Sequence, residues 1–127
     1  MLTNSSLLKE HGYVNGQWVG DDAKSRFDVT NAYSNEVISS LPDMGKKETD
    51  EAIDAANNAW PEWRARTAKE RAGILKKWFD LIMANQEDLA ILMTAEQGKP
   101  IAEARGEVGY GASFIEWFAE EGKRTYG

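Results

Sequence analysis

Residues 36–60, EVISSLPDMGKKETDEAIDAANNAW, decide the fold because the spacing of apolar residues changes within them. Up to Leu41 the pattern fits a β-strand, and Pro42, which cannot donate a hydrogen bond to a sheet, is predicted to stop it. From Gly45 onward, apolar residues such as Ile53, Ala56 and Trp60 recur at the spacing of one helix face. The sequence therefore predicts β structure before this stretch and helices after it.

Two β-hairpins are predicted before the change. The first is centred on Asn15-Gly16, the strongest short-range hairpin signal, between residues 13–14 and 17–19. The second pairs residues 26–31 with residues 36–41, and the polar link at residues 32–35 supplies turn-forming side chains.

Four helices are predicted after the change. The first has acidic residues in its first turn, which suit the helix dipole, and is predicted to end at Pro61. The second begins at the capping box Thr67-Ala68-Lys69-Glu70. Asn85 is the predicted N-cap of a third helix over residues 86–97, which ends at Gly98, and the fourth runs from about Pro100 to Glu121.

The apolar stripes of these helices are predicted to be buried. The predicted contacts are Leu75, Trp78, Phe79 and Ile82 in the second helix, Leu89, Leu92 and Met93 in the third, and Val108, Phe114, Ile115 and Phe118 in the fourth. The predicted organisation is an N-terminal lead (residues 1–11), a β-hairpin segment (12–44) and a four-helix segment (45–127). The fold class is thus α+β and lacks the alternating pattern of a complete nucleotide-binding sheet.

Composition excludes several function classes. The chain has 127 residues, a net charge of −6, no cysteine and one histidine, His11. Disulfides, thiolate zinc sites and a Cys nucleophile are therefore absent from this sequence, and no basic patch indicates nucleic-acid binding. Without a signal peptide pattern or a long apolar run, we expect a cytoplasmic protein with no membrane or nucleic-acid partner.

Three motifs have both a functional and a structural interpretation. The glycines of residues 106–111, GEVGYG, lie in a helical pattern, so we interpret them as points of close helix approach rather than as a phosphate loop. Paired carboxylates such as Glu120-Glu121 are interpreted as solvated surface. Tyr110, Phe114 and Trp117 share one helix face, which is typical of a core but would also suit the wall of a substrate tunnel. The residues form no set of nucleophile, base and orienting group, so no catalytic residue is assigned.

Several segments resemble the aldehyde dehydrogenase superfamily in their order and spacing. They are YVNGQW at 13–18, VTNAYSNEVI at 29–38, DEAIDAA at 50–56 with Trp60, and EQGKP at 96–100. Ala32 and Asn35 stand where the family usually has Pro and Gly. Residues 114–127, FIEWFAEEGKRTYG, resemble the succinate-semialdehyde dehydrogenase branch.

The resemblance implies the N-terminal part of a coenzyme-binding domain in a parent chain roughly four times as long. Such a parent oxidises an aldehyde, here succinate semialdehyde, with NAD or NADP and forms a homotetramer or homodimer. The family's nucleotide-binding motif, catalytic Cys, general-base Glu and oxyanion Asn have no matching positions here. We therefore assign no catalytic and no cofactor-binding residue, and expect this chain alone to be inactive and to bind no cofactor.

The resemblance implies two further sites. The helix after Lys99-Pro100 contributes to the family's substrate channel, which makes Glu107, Tyr110, Phe114 and Trp117 the candidate channel residues. A structural monovalent cation would lie near backbone oxygen of Val29 or Thr30 and near Glu96. The alternative, a capped helix end with no ion, stays open, and no metal ligand is assigned.

Two other interpretations remain at this stage. The parent could act on another small semialdehyde, such as glutarate semialdehyde. The chain could instead be a complete, non-catalytic helical interaction module, which a natural stop codon after Gly127 would favour. In a shortened chain, helices shaped to pack on a missing sheet would leave apolar faces exposed, so self-association is expected.

Overall fold

A computed structural model describes residues 2–126, and the predicted order of two hairpins and four helices is confirmed. Met1 and Gly127, the ends of the predicted lead and of the helical segment, lie outside the described residues. The elements are a short 3₁₀ helix (Ser5–Leu7), β1 (Gly12–Val14), β2 (Gln17–Val19), β3 (Arg26–Thr30), β4 (Val37–Pro42), α1 (Lys46–Ala65), α2 (Ala68–Ala84), α3 (Gln86–Gln97) and α4 (Ile101–Glu121). The division into segments stays a prediction.

The first hairpin forms at the predicted turn. β1 and β2 are antiparallel, with Val14 opposite Gln17, so two residues connect them. Asn15 and Gly16 have φ angles of 51° and 79°, the left-handed values that a tight two-residue hairpin turn requires. The Tyr13 and Trp18 rings, opposite each other in the ladder, lie 4.9 Å apart.

The second hairpin pairs β3 with β4 and is shaped by its turn. The Asn31 side chain accepts hydrogen bonds from the backbone N–H groups of Tyr33 and Ser34, at 2.9 Å and 3.0 Å. Asn35, with a φ of 61°, takes the left-handed conformation for which the family usually has Gly. Pro42, which was predicted to stop the strand after Leu41, is instead the last residue of β4 and lies opposite Arg26.

The prediction that Pro61 ends the first helix is wrong. α1 continues through Pro61 to Ala65. A proline removes one intrahelical hydrogen bond, but its φ angle is compatible with a helix. A residue of α2 stabilises the end of α1 beyond Pro61. The Arg71 guanidinium donates to the carbonyl oxygens of Arg66 and Arg64 at 2.5 Å and 3.4 Å.

The capping box of α2 is confirmed, whereas the cap of α3 differs from the prediction. Thr67 Oγ1 accepts from the Glu70 N–H at 3.3 Å, and the Glu70 carboxylate accepts from the Thr67 N–H at 2.8 Å. Asn85 does precede α3, but its side chain makes no N-cap hydrogen bond. Instead, its Nδ2 donates to the Leu81 carbonyl at 2.8 Å and so serves the end of α2.

The core lies where α4 packs against α2 and α3. It consists of Ala90 and Ala104, both 0% exposed, and Val108, with Ile82, Leu89, Met93 and Ile101 partly buried around it. Small side chains at these positions let the helices approach closely. Among residues 2–126, no large side chain is fully buried.

Three predicted core residues are exposed instead. Trp78, Phe114 and Phe118 are 55%, 47% and 60% exposed. Each lies on a helix face that has no covering element in the described part of the chain, whereas the small residues Ala72, Ala112 and Ala119 are buried. The periodicity located apolar faces correctly but did not indicate which of them is covered.

An Arg–carboxylate pair fastens α4 to the start of α3. Arg105 donates to both carboxylate oxygens of Glu87, at 2.6 Å and 2.8 Å. The hydrogen bond from Arg105 is the largest cause that lowers the pKa of Glu87 below its usual value, with a smaller coulombic contribution from the same guanidinium. The bidentate geometry fixes the relative rotation of the two helices.

We expect this pair to make stability depend on pH in the acid range. The folded pKa of Glu87 is depressed, so its contribution is present above the unfolded pKa, near 4.5, and is lost as pH falls through the lower folded value. Urea unfolding of the chain at intervals from neutral pH to about pH 3 measures this loss. Glu87→Gln should reduce the loss of stability between neutral pH and about pH 3. Asp54→Asn on α1 is the matched control and should lose stability as the unmodified chain does. If both variants and the unmodified chain show the same dependence of stability on pH, Glu87 is not the cause of this loss.

Candidate functional site

The four predicted channel residues lie together on one exposed face of α4. Tyr110, Phe114 and Trp117 are 66%, 47% and 61% exposed, and Glu107 lies one turn before Tyr110. The Tyr110 and Phe114 rings meet edge to face with their centroids 4.9 Å apart. We call Glu107, Tyr110, Phe114 and Trp117 the α4 outer face.

The opposite side of α4 forms the helix–helix contact. Ala104, Val108 and Ala112 are buried there, at successive spacings of four residues. Of the two interpretations of the aromatic stripe, burial in a core formed by residues 2–126 is therefore wrong. The wall of a substrate channel stays a prediction, because it needs a covering element that would bring the other side of the channel.

The turn between α3 and α4 sets the start of the α4 outer face. Gly98 has a φ of 72°, the left-handed conformation that ends α3 without a side-chain clash. A Cβ at Gly98 would lie 3.3 Å from the Ala32 Cβ, and the Ala32 N–H donates to the Ala95 carbonyl at 3.1 Å. The turn is thus packed against the second hairpin, and Lys99 next to it forms an ion pair with Glu107.

An open groove extends the α4 outer face toward the end of the helix. Phe114, Trp117 and Phe118 supply its apolar wall, and Glu121 and Arg124 lie at its rim, paired at 2.7 Å. Lys123 hydrogen bonds to Glu120 nearby and lowers the pKa of that carboxyl. The surface is therefore aromatic in its centre and carries paired charges at its edge.

The glycines at residues 106–111 do not form the phosphate-binding loop of a dinucleotide site. Both sheets are two-stranded and antiparallel, so no strand–glycine loop–helix unit is formed among them. Gly106, Gly109 and Gly111 lie inside α4, where the backbone N–H groups are used by the helix. Close approach, the interpretation from sequence, holds only at Gly109, where a Cβ would lie 3.4 Å from Gln86 Nε2; Gly106 and Gly111 face open space.

The single histidine and the acidic side chains are spread over separate parts of the structure. His11 lies just before β1, with its Nε2 2.7 Å from Asp21 Oδ1, and is far along the chain from the α4 outer face. Across residues 2–126, no cluster of three or more His, Asp or Glu side chains could hold a metal ion. Glu96 is exposed, and the cation near Thr30 and Glu96 stays a prediction.

Sequence reasoning missed the most buried acidic residue. Asp88 is 5% exposed, and its two carboxylate oxygens accept the backbone N–H groups of Thr3 and Asn4 at 2.8 Å and 2.7 Å. The acidic residue in the first turn of α3 was a signal for a helix cap, but nothing local indicated that its partners lie more than eighty residues away.

Among the described residues, no helix has the length and apolar character to span a membrane.

Known proteins share this arrangement. Residues 18–127 match the aldehyde dehydrogenase family. The chain is 57% identical over 126 residues to the succinate-semialdehyde dehydrogenase (NADP(+)) of Escherichia coli (strain K12), an alignment that covers 99% of this chain and 26% of that protein. It is 55% identical over 126 residues to a glutarate-semialdehyde dehydrogenase of Pseudomonas putida (strain KT2440), with the same two shares.

A solved structure agrees over the same region. The crystal structure of succinate-semialdehyde dehydrogenase from Burkholderia pseudomallei superposes with a TM-score of 0.95 at 52% identity, covering 99% of this chain and 26% of that one. The chain therefore spans about a quarter of the length of the relatives it matches, and its hairpins and helices correspond to the N-terminal part of their fold. Since the match extends over residues 18–127, the chain belongs to the aldehyde dehydrogenase family.

Proposed function

We propose that this chain is the N-terminal part of a cytoplasmic, homo-oligomeric enzyme that oxidises succinate semialdehyde to succinate with NAD or NADP. In that enzyme the α4 outer face lines the substrate channel. The observation that carries the proposal is the exposure of an ordered aromatic face on a helix whose other side is fully packed. The similarity to a succinate-semialdehyde dehydrogenase supports the substrate.

The overall reaction consumes water and the aldehyde and transfers a hydride to the oxidised cofactor, which gives the carboxylate, the reduced cofactor and two protons. We assign no step of hydride transfer and no covalent step to residues 2–126. Their contribution is a wall: three aromatic side chains, two of them in edge-to-face contact, present a stiff apolar surface. Such a surface excludes water and suits the short methylene chain of a semialdehyde.

The charges beside this wall suit an anionic substrate. Glu107 would repel a substrate carboxylate if it stood alone, because like charges at short range disfavour binding. Its ion pair with Lys99 compensates the charge at the entrance to the face. Lys99 is itself positioned by the Gly98 turn, so the family motif at residues 96–100 contributes to this compensation through the backbone.

A chimera tests the wall directly. Residues 2–127 of this chain would replace the matching segment of the Escherichia coli relative, and the purified chimera would be assayed for NADPH formation with succinate semialdehyde. Phe114→Ala with Trp117→Ala should raise KM for the aldehyde by about tenfold or more, since two contacts of about 1 kcal/mol or more each are removed. KM for NADP should change little.

Matched proteins make the result decisive. Tyr33→Ala removes an aromatic residue that is 95% exposed on the second hairpin, and it should leave both KM values unchanged. The 127-residue chain alone serves as the baseline and should show no turnover. An unchanged KM for the aldehyde in the double variant would mean that Phe114 and Trp117 do not line the substrate channel. An inactive chimera that is folded would favour the non-catalytic module.

The second candidate substrate is glutarate semialdehyde, which is favoured by the 55% identity to the Pseudomonas putida enzyme. The two substrates differ by one methylene, which a hydrophobic channel distinguishes by about 10- to 200-fold. The ratio of kcat/KM for the two aldehydes, measured on the full-length protein that carries this chain, separates the candidates. We expect the larger value with succinate semialdehyde.

A further inference from the structure

The first turn of α3 holds two distant parts of the chain with two consecutive side chains. Glu87 binds the Arg105 guanidinium of α4 through both carboxylate oxygens. Asp88 accepts the backbone N–H groups of Thr3 and Asn4 at 2.8 Å and 2.7 Å, one on each oxygen. The N-terminal residues and α4 are therefore fastened to the same helical turn.

Asp88 requires a partner because it is buried. Its exposure is 5%, and a carboxylate removed from water is unfavourable unless hydrogen bonds replace its hydration. Asp88 is the third residue of α3, where the helix dipole also favours a negative charge. Two successive backbone N–H groups, each donating to one carboxylate oxygen, replace part of that hydration.

The segment that supplies these N–H groups is folded by its own side chains. The Asn4 Oδ1 accepts from the Ser6 N–H at 3.1 Å and from the Ser6 hydroxyl at 2.7 Å, which caps the 3₁₀ turn Ser5–Leu7. Leu7 and Leu8 are half-buried at the end of the turn. This segment thus reaches Asp88 as a compact strap rather than as a loose chain end.

We infer that residues 2–8 form a clasp that closes on Asp88, and that its closure holds the first turn of α3 in the position from which Glu87 binds Arg105. Opening the clasp leaves the buried carboxylate without these two donors, so water must reach it and the turn must loosen. The same loosening weakens the grip on α4. The clasp is thus a conformational device that couples the N-terminus of the chain to the placement of α4.

Amide hydrogen exchange of the 127-residue chain, followed by NMR, tests the clasp. In the unmodified chain, the Thr3 and Asn4 amides should exchange about tenfold or more below their intrinsic rates, as expected for hydrogen bonds to a charged acceptor. Fast exchange at both amides in the unmodified chain would overturn the clasp without any variant. Asp88→Asn, which keeps one acceptor oxygen but loses the charge, should accelerate both amides several-fold.

The coupling to α4 has its own measurement and control. In Asp88→Asn, the Arg105 Nε–H should also exchange faster. The control is Asp80→Asn, which changes an exposed carboxylate that pairs with Lys76 on α2. It should alter neither the exchange of the Thr3 and Asn4 amides nor that of the Arg105 Nε–H. Accelerated Thr3 and Asn4 amides with an unchanged Arg105 Nε–H would overturn the coupling. If Asp88→Asn does not fold, a chain that lacks residues 2–8 replaces it, and unchanged exchange at Arg105 Nε–H in that chain counts against the inference.

Discussion

Replacing Ala104 by Phe should lower the free energy of unfolding by about 3 kcal/mol, the upper end of the usual cost of overpacking a core. Ala104 is 0% exposed and lies in the centre of the contact between α4 and its neighbours, together with Ala90 and Val108. A ring at this position cannot turn toward solvent, because its Cβ points into the packed side of α4. The helices must separate, which also exposes the partly buried residues around this small core.

The matched control is Ala102→Phe, on the exposed side of the same helix. It makes the same chemical change and should cost only about 0.5 kcal/mol, the difference in helix propensity. Urea unfolding followed by far-UV circular dichroism measures both values. Equal midpoints for the two variants would mean that α4 does not pack through Ala104, and the fold described above would be wrong at its centre.

The features that sequence predicted correctly have both partners within a few residues of each other. The Asn15-Gly16 turn, the Thr67–Glu70 capping box and the left-handed Gly98 depend on local backbone geometry alone. Their physical cause is complete in a short window of sequence. The same is true of the α4 outer face, since helical spacing places Tyr110, Phe114 and Trp117 side by side.

The errors come from partners that are distant or absent. Pro61 was expected to end α1, but Arg71 of the next helix holds the turn that follows it. Asn85 lies between α2 and α3, and its side chain hydrogen bonds to the end of α2 rather than to the start of α3. For Asp88, the donors come from the other end of the chain. In each case a residue from another element decides the outcome.

Burial was the least predictable property, because α2 has two apolar faces. One face packs toward α4 through Ala72 and neighbours such as Phe79, whereas Ile74, Trp78 and Leu81 form a second face that stays exposed. Periodicity reports both faces equally. For the candidate site, sequence therefore predicted which residues share the α4 outer face, and the resemblance led us to expect exposed apolar faces, but it did not indicate which faces these would be.

The uncovered faces lead to the second large expected effect, which is self-association of the 127-residue chain. A folded monomer of this mass, 14.2 kDa, exposes about 6,800 Å² by the usual scaling of surface with size. This structure exposes 9443 Å². The excess is about 2,600 Å² for one chain, and each partner of an obligate interface buries about 1,000–2,500 Å², so a second copy of the chain can cover much of it.

Sedimentation velocity at about 50 μM, a concentration at which interfaces of this size are occupied, should therefore show dimers or larger species rather than a 14.2 kDa monomer. Trp78→Glu with Trp117→Glu places charge on the exposed apolar faces of α2 and α4 and adds to a net charge that is already −6, so this variant should sediment as a monomer. Tyr33→Glu adds charge at a residue on the second hairpin, outside both faces, and should associate like the unmodified chain. A monomer at every concentration in the unmodified chain would contradict the prediction. Equal dissociation by Tyr33→Glu would mean that net charge, and not the two helix faces, controls association.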